Sequence, residues 1–255
     1  MSTPDTGASA SSITLRVKRQ DSPSHNPYWE EFKLPKAEGA NVISCLQAVQ
    51  RDPRNSNGHK VAPVAFECSC LEEVCGACTM VINGRVRQSC TALVKDLGDT
   101  ITLEPADTFP VKRDLAVDRN RMFEALKKVQ AWVEVDGSHD LGPGPRQSAK
   151  NAEENYKFST CMTCGCCLEA CPQVTPETDF IGPAALGQVR LFNAHPTGAF
   201  QADARLEALQ GEGGIHRCAN AQNCVEVCPK SIPLTEAIAS LNRQLTQKIF
   251  RDLLG

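Results

Sequence analysis

The chain has 255 residues, with 27 Lys and Arg against 30 Asp and Glu, a formal net charge of −3, two Trp and two Tyr. That length suits two modest domains, the charge balance and scarce aromatics argue against a nucleic-acid partner, and no apolar run approaches the length needed to cross a bilayer, so membrane association is expected only through a partner. The extreme of the composition is cysteine, present 14 times.

Met1 to Ser12 is small and polar and is expected to be disordered. Ile13 to Lys18 alternates with period two and reads as a strand; Trp29 to Leu34 reads as its hairpin partner after a Pro/Ser/Asn loop. The spacing predicts a helix from Asn41 to Arg51, capped by Asn41 and stopped before Pro53. Strand signals recur at Val61–Cys68, Thr79–Asn83, Val86–Ala92 and Thr100–Pro105, with Asn83-Gly84 as a hairpin turn. A small mixed sheet crossed by one helix is the expected result.

Within these strands lies Cys70-x4-Cys75-x2-Cys78, followed by Cys90. This is the plant-type spacing that binds [2Fe-2S] through four thiolates from a tight loop and a returning strand. Gly76 and Ala77 let the backbone close around the sulfurs.

From Asp118 the period becomes helical. Met122, Phe123, Leu126, Val129, Trp132 and Val133 define one apolar face of a helix over Arg119–Val133, and Leu234, Ile238, Leu241, Leu245 and Ile249 define another near the C-terminus. Leu141-Gly142-Pro143-Gly144-Pro145 reads as a rigid turn. The domain boundary is placed at Val117, giving domains 13–117 and 118–255, because the helix after it serves a helical domain better than a sheet.

Between the two helical stripes stand near-copies of one cysteine string. Cys161, Cys164, Cys167, Cys171 and Pro172 spell C-x-x-C-x-x-C-x-x-x-C-P, and Cys218, Ala221, Cys224, Cys228 and Pro229 repeat the spacing with alanine in the second slot. In a two-cluster bacterial ferredoxin layout, the first three cysteines of a string hold one cluster and the fourth reaches to the other. One site then collects Cys161, Cys164, Cys167 and Cys228 for [4Fe-4S]. The other collects Cys171, Cys218 and Cys224, and with Ala221 offering no ligand its natural occupant is [3Fe-4S].

Three cysteines are left over. Cys45 lies in the apolar stripe of the first helix and reads as a buried, inert thiol. Cys68 competes with Cys70 but gives the wrong spacing to Cys75, and Cys166 is expected to turn away from the cluster as packing. Disulfides need an oxidising compartment, and Met1–Ala10 has neither the basic nor the apolar stretch of a secretory signal. Structural zinc closes with two cysteine pairs and does not predict a triple C-x-x-C-x-x-C before C-P. A thioredoxin-like pair needs only an isolated C-x-x-C.

The order of these patterns resembles the iron–sulfur subunit of succinate dehydrogenase and quinol:fumarate reductase, over nearly the whole chain. Cys68–Gly76, Phe109–Leu115 and Phe180–Ala184 are similar to that family beyond the ligands. The resemblance implies an α+β chain: an N-terminal β-grasp plant-type ferredoxin domain, then an all-α bacterial-ferredoxin-like domain. It further implies a flavoprotein partner carrying FAD, a membrane anchor of cytochrome b type with haem b, and attachment to the cytoplasmic face of the cell membrane. Electrons are then expected to run from flavin through [2Fe-2S], [4Fe-4S] and [3Fe-4S] to quinone. The chain has no obvious nucleophile, general base or nucleotide loop, so substrate chemistry belongs to the partner.

Pro172 and Ala221 are candidates for cluster-packing or quinone-side positions. Many ubiquinone-reducing members have a tryptophan shortly after the Cys-Pro and a histidine after the cysteine matching Cys218; here Gln173–Thr178 has no tryptophan and Ala219 follows Cys218. Together with the stretch Val189–Gly198, this resembles members that serve menaquinone. His195 and His216 read as hydrogen-bonded structural histidines.

Overall fold

The computed structural model describes residues 11–134 and 146–254. Met1–Ala10 of the segment expected to be disordered, and the turn at Leu141–Pro145, lie outside the described residues. The chain divides into two compact units, one formed by Met1–Ala106 with Val111–Val117, the other by Asp107–Pro110 with Asp118–Gly255.

In the first unit, β1 (Ser12–Arg19) and β2 (Tyr28–Pro35) form an antiparallel pair. Alternation explains the buried face, since Ile13, Leu15 and Val17 are all buried while Thr14 and Arg16 turn outward. Ser12 already pairs with Pro35, so order begins earlier than its composition suggested. Helix α1 (Val42–Arg51) carries the expected Asn41 cap: the Asn41 side chain accepts from Ser44 N at 2.8 Å and Ser44 Oγ accepts from Asn41 N at 3.0 Å. Its Val42, Leu46 and Val49 join the sheet's buried residues in one core.

The hairpin β3 (Thr79–Ile82) and β4 (Arg85–Gln88) turns at Asn83 (φ 49°) and Gly84 (φ 77°), the left-handed pair such a turn requires. Asn83 Oδ1 accepts from Thr102 N at 2.8 Å, tying the turn to β5 (Thr100–Glu104). The sheet order is β2-β1-β5-β3-β4, with β1 and β5 parallel and the other pairs antiparallel. A short pair, β6 (Val111–Arg113) and β7 (Ala116–Val117), closes the unit.

Two strand expectations change. Val61–Cys68 is not a strand: Pro63 has no N–H for a ladder, and the neighbouring polar groups go elsewhere. Ala62 O accepts from Arg19, Val64 O from Gln50 and Ala65 N donates to Asp114. The strand expected over Val86–Ala92 leaves the ladder after Gln88, where Ser89 bonds back to Cys78 O.

The second unit is helical: α2 (Asn120–Lys128), α3 (Ala149–Ser159), α4 (Cys166–Glu169), α5 (Gly182–Ala194), α6 (Ala202–Gln210), α7 (Asn223–Glu226) and α8 (Leu234–Leu254). Helix α5 is its centre, packing on α2, α3, α4, α6 and α8. The Phe180–Ala184 motif opens it: Gly182 (φ 83°) sits where a Cβ would stand 3.0 Å from Leu168 Cγ, and Pro183 occupies the first turn. The helix expected over Arg119–Val133 ends at Lys128, and Gln130 turns left-handed at φ 49°. Of its anticipated apolar face, Met122 and Val129 are buried, whereas Phe123 and Trp132 are exposed. On α8, Leu234, Ile238, Leu241 and Leu245 are buried as expected but Ile249 is exposed, along with Phe250, Leu253 and Leu254. Among the described residues no helix is long and apolar enough to cross a membrane.

Arg19 carries the charge at the centre of the first unit. It is fully buried and donates to Asp114 Oδ1 at 2.8 Å, Glu30 Oε2 at 2.5 Å and Ala62 O at 3.1 Å. Burial pulls its pKa down, but the hydrogen bond and charge of Asp114 outweigh that and hold it above the usual arginine value. Removing one partner of such a buried pair strands the other, which costs about 3–5 kcal/mol. Arg19→Met is therefore expected to destabilise the protein by about that amount, measured as a shift of the unfolding transition; a change within about 0.5 kcal/mol, the range of ordinary surface substitutions, would contradict it.

Candidate iron–sulfur sites

The first candidate site is the loop from Cys70 to Cys78 with Cys90 after β4. Three left-handed residues, Leu71 (φ 63°), Glu73 (φ 52°) and Gly76 (φ 71°), coil the loop tightly. That coil turns backbone N–H groups onto sulfur: Glu72 N and Val74 N each stand 3.3 Å from Cys70 Sγ, and Ala77 N 3.4 Å from Cys75 Sγ. The N–H groups of Glu72, Val74 and Cys75 bring the Cys70 thiol down to about 7, that of Glu72 being the largest influence. Cys70 and Cys75 lie within hydrogen-bonding reach of each other, and Cys90 beside Cys78. Burial, with the neighbouring Cys78, pushes the Cys90 thiol up to about 11. Cys78 and Cys90 pack with Ile43 and Phe66. Cys68 is exposed.

In the second unit, the repeat in the sequence is also a repeat in the backbone. Thr163 (φ 51°) and Gly165 (φ 88°) precede α4; Asn220 (φ 56°) and Gln222 (φ 66°) stand at the matching places before α7. Each string thus makes two left-handed turns, then a helix of four residues, then its Cys-Pro. At Gly165 the turn has a second reason, since a Cβ there would come 3.1 Å from both Met122 Sδ and Phe109 Cζ. Gln222, at the matching place, stands in an exposed loop.

Two cavities lie against these loops. One is lined by Cys161, Cys164, Cys166, Cys167 and Cys228, with Pro229, Ile232 and Leu234. The other is lined by Cys171, Cys218 and Cys224, with Pro172, Gln173 and Ala221. The fourth cysteine of each string therefore does reach across to the cavity of the other. Neither cavity is lined by a carboxylate or an imidazole, so the donors are soft thiolates, the set iron–sulfur clusters use. Among the described residues no three His, Cys, Asp or Glu side chains converge to hold a single ion. A cluster makes no such demand, because its protein sulfurs are shared out among different irons and stand around a volume.

Burial is the first cause pushing the Cys161, Cys167 and Cys171 thiols up, reinforced by neighbouring sulfurs, and it takes Cys224 up to about 11. Cys164 is raised most directly by Cys166, then by burial. Thiolates in such surroundings need adjacent positive charge, which iron supplies. Ile232 N, 3.4 Å from Cys228 Sγ, adds a backbone donor.

Cys166 departs from expectation. It is fully buried, but it lines the same cavity as Cys164 and lies within hydrogen-bonding reach of it, so it does not turn away. Cys45 is buried in the α1 core as expected. His195 is an exposed turn residue whose Nδ1 accepts from Thr197 N and Gly198 N at 3.2 Å, and His216 is exposed.

Two supports of these loops carry no signal in the sequence. Arg121 donates to Thr175 O at 2.5 Å and to Thr178 O, pinning the segment after Pro172 to α2. Glu169 of α4 accepts from Asp107 N and Thr108 N at 3.2 and 3.1 Å. Arg121 lies outside the cysteine motifs and Glu169 holds a variable position between Cys167 and Cys171, so only their carbonyl and amide partners, invisible in sequence, mark them.

A sheet unit with a four-cysteine loop, followed by a helical unit with two cysteine cavities, defines a ferredoxin-type electron-transfer protein. A model of a 2Fe-2S iron–sulfur cluster binding domain matches residues 14–124, and a model of a 4Fe-4S dicluster domain matches residues 157–232. The chain is 56% identical over 243 residues to the succinate dehydrogenase iron–sulfur subunit of Bacillus subtilis, covering 95% of this chain and 96% of that one. It is 30% identical over 240 residues to the fumarate reductase iron–sulfur subunit of Wolinella succinogenes, covering 91% and 97%. Its fold matches a chain of the Mycobacterium smegmatis Sdh1 complex in the apo form with a TM-score of 0.78 at 22% identity, over 95% of this chain and 98% of that one. The chain belongs to the family of succinate dehydrogenase and fumarate reductase iron–sulfur subunits.

The repeated loops differ in tolerance. Gly165→Ala forces a side chain into a left-handed position, at about 1–2 kcal/mol, and against Met122 and Phe109. We expect a clearly lowered melting temperature for Gly165→Ala and none for Gln222→Gly; equal effects at the two positions would contradict the packing argument.

Proposed function

We propose that this chain is the electron-transfer subunit of a membrane-bound succinate dehydrogenase. Cys70, Cys75, Cys78 and Cys90 hold [2Fe-2S]; Cys161, Cys164, Cys167 and Cys228 hold [4Fe-4S]; Cys171, Cys218 and Cys224 hold [3Fe-4S]. When bound, the clusters supply one-electron steps between the FAD of a flavoprotein subunit, which oxidises succinate to fumarate, and a quinone at a cytochrome b anchor that holds haem b. The domains are those bounded at Val117, and the subunit sits peripherally on the cytoplasmic face of the membrane.

The observation that carries this reading is the grouping of Cys161, Cys164, Cys167 and Cys228, with Cys166 beside them, in one cavity and of three cysteines with Ala221 in the other. The methyl of Ala221 offers no donor where Cys164 does in the matching loop. The surroundings differ as well: Gly165 to Leu168 is buried, while Ala219 to Asn223 is exposed. Pro172 and Ala221 line the cavity bordered by the exposed stretch Ala219–Asn223, which supports their place on the quinone side. The absence of a tryptophan after Pro172 and the Ala219 after Cys218 support menaquinone as the acceptor. The much higher identity to the Bacillus subtilis succinate dehydrogenase subunit than to the fumarate reductase subunit favours succinate oxidation.

Fractionating native cells tests the reading against a free multi-cluster carrier. The subunit is expected in the membrane fraction, co-purifying after detergent extraction with a flavoprotein and a haem-containing anchor and with quinone-dependent succinate oxidation. Recovery in the soluble fraction without flavin would contradict it.

A further inference from the structure

The Phe109–Leu115 stretch contains no cluster ligand, yet its Asp114 occupies an unusual position. The residue is fully buried and left-handed at φ 48°, and its own N–H is fixed to Gln20 O at 2.8 Å. Its carboxylate takes four donors: Oδ1 accepts from Arg19 Nε at 2.8 Å and Gln20 N at 3.1 Å, while Oδ2 accepts from Ala65 N at 2.8 Å and Arg19 Nη2 at 3.3 Å. Ala65 is gripped from both sides, because its O accepts from Leu115 N at 3.1 Å. The next residue, Phe66, packs on Ile43, Cys78 and Cys90, and four residues further on comes Cys70.

We propose that Asp114 is a positioning residue for the [2Fe-2S] site, fixing Ala65 and so holding Phe66 against Cys78 and Cys90. The inference rests on the assignment of Cys70, Cys75, Cys78 and Cys90 as ligands. A carboxylate is the group the position requires, since it accepts on both oxygens while neutralising Arg19. An amide there turns one acceptor into a donor facing Arg19 or the Ala65 N–H, which breaks the grip without changing side-chain volume. The effect then passes to the cluster through packing: Phe66 covers the two buried ligands, and such outer contacts set both the retention of a cluster and its potential.

The test uses the assembled membrane complex carrying Asp114→Asn, Phe66→Leu or both. It reads the EPR spectrum and midpoint potential of the reduced [2Fe-2S] centre and the rate of iron release to a chelator. Each single variant is expected to shift that centre's spectrum and potential and to speed its iron release about 10-fold, the lower end of the range for outer-shell partners. The signals of the other two clusters stay as in wild type. The double variant is expected to be no worse than the more severe single one, since both cut one relay. Should Asp114→Asn fail to assemble, Phe66→Leu alone decides. Lowered melting temperature with an unchanged [2Fe-2S] spectrum, potential and release rate, or fully additive effects in the double variant, would overturn the proposal. A wild-type complex with no [2Fe-2S] signal would instead sink the ligand assignment beneath it.

Discussion

The rest of the structure answers to one constraint, the gathering of thiol sulfurs around small volumes. Burial and mutual repulsion both oppose the thiolate form that binds metal, as the raised values of Cys161, Cys167, Cys171 and Cys224 indicate. The chain meets this with backbone. Left-handed residues at Leu71, Glu73 and Gly76 aim N–H groups at Cys70 and Cys75, and the paired turns before α4 and α7 set the cysteines of each string around a cavity. Helices of four residues do not stand alone, because a single turn barely offsets its nucleation cost. They are held by α5 and α8, by Arg121 and by Glu169, so much of the helical unit serves as a frame for its cysteine loops.

Within that frame the two strings are alike in backbone and unlike in setting. The loop of Cys164 is closed over by Phe109 and Met122, and the cavity of Ala221 is rimmed by exposed residues. In the proposed assignment, a four-thiolate site beside a three-thiolate site whose loop is exposed gives a direction to electron transfer that symmetric sites would lack. Cluster type, charge and exposure all tune potential, and in the proposed assignment Ala221 bears on the first two while its exposed loop bears on the third.

Much of this was legible in the sequence because cysteine spacing and period-two alternation are local codes. The plant-type loop, the crossover of Cys171 and Cys228, the Asn41 cap and the Asn83-Gly84 turn each follow from a few adjacent residues. What the sequence hid was set by distant partners. Val61–Cys68 looks like a strand until Arg19 and Asp114, far away in the chain, claim its carbonyls and amides. Phe123 and Trp132 fit a helical stripe, but their helix stops at Lys128, and the segment beyond it is taken up by Arg205, which donates to Gln130 O and Trp132 O. Cys166 seemed destined to face away, yet the tight turn at Gly165 brings it alongside Cys164.

In the proposed assignment Ala221 leaves the exit site with three protein ligands and hence three irons. EPR of the native complex through a redox titration decides whether it does. A [3Fe-4S] signal in the oxidised sample, disappearing on reduction at a more positive potential than the other centres, is the predicted result. An EPR-silent oxidised sample that yields two [4Fe-4S] signals on reduction would contradict it.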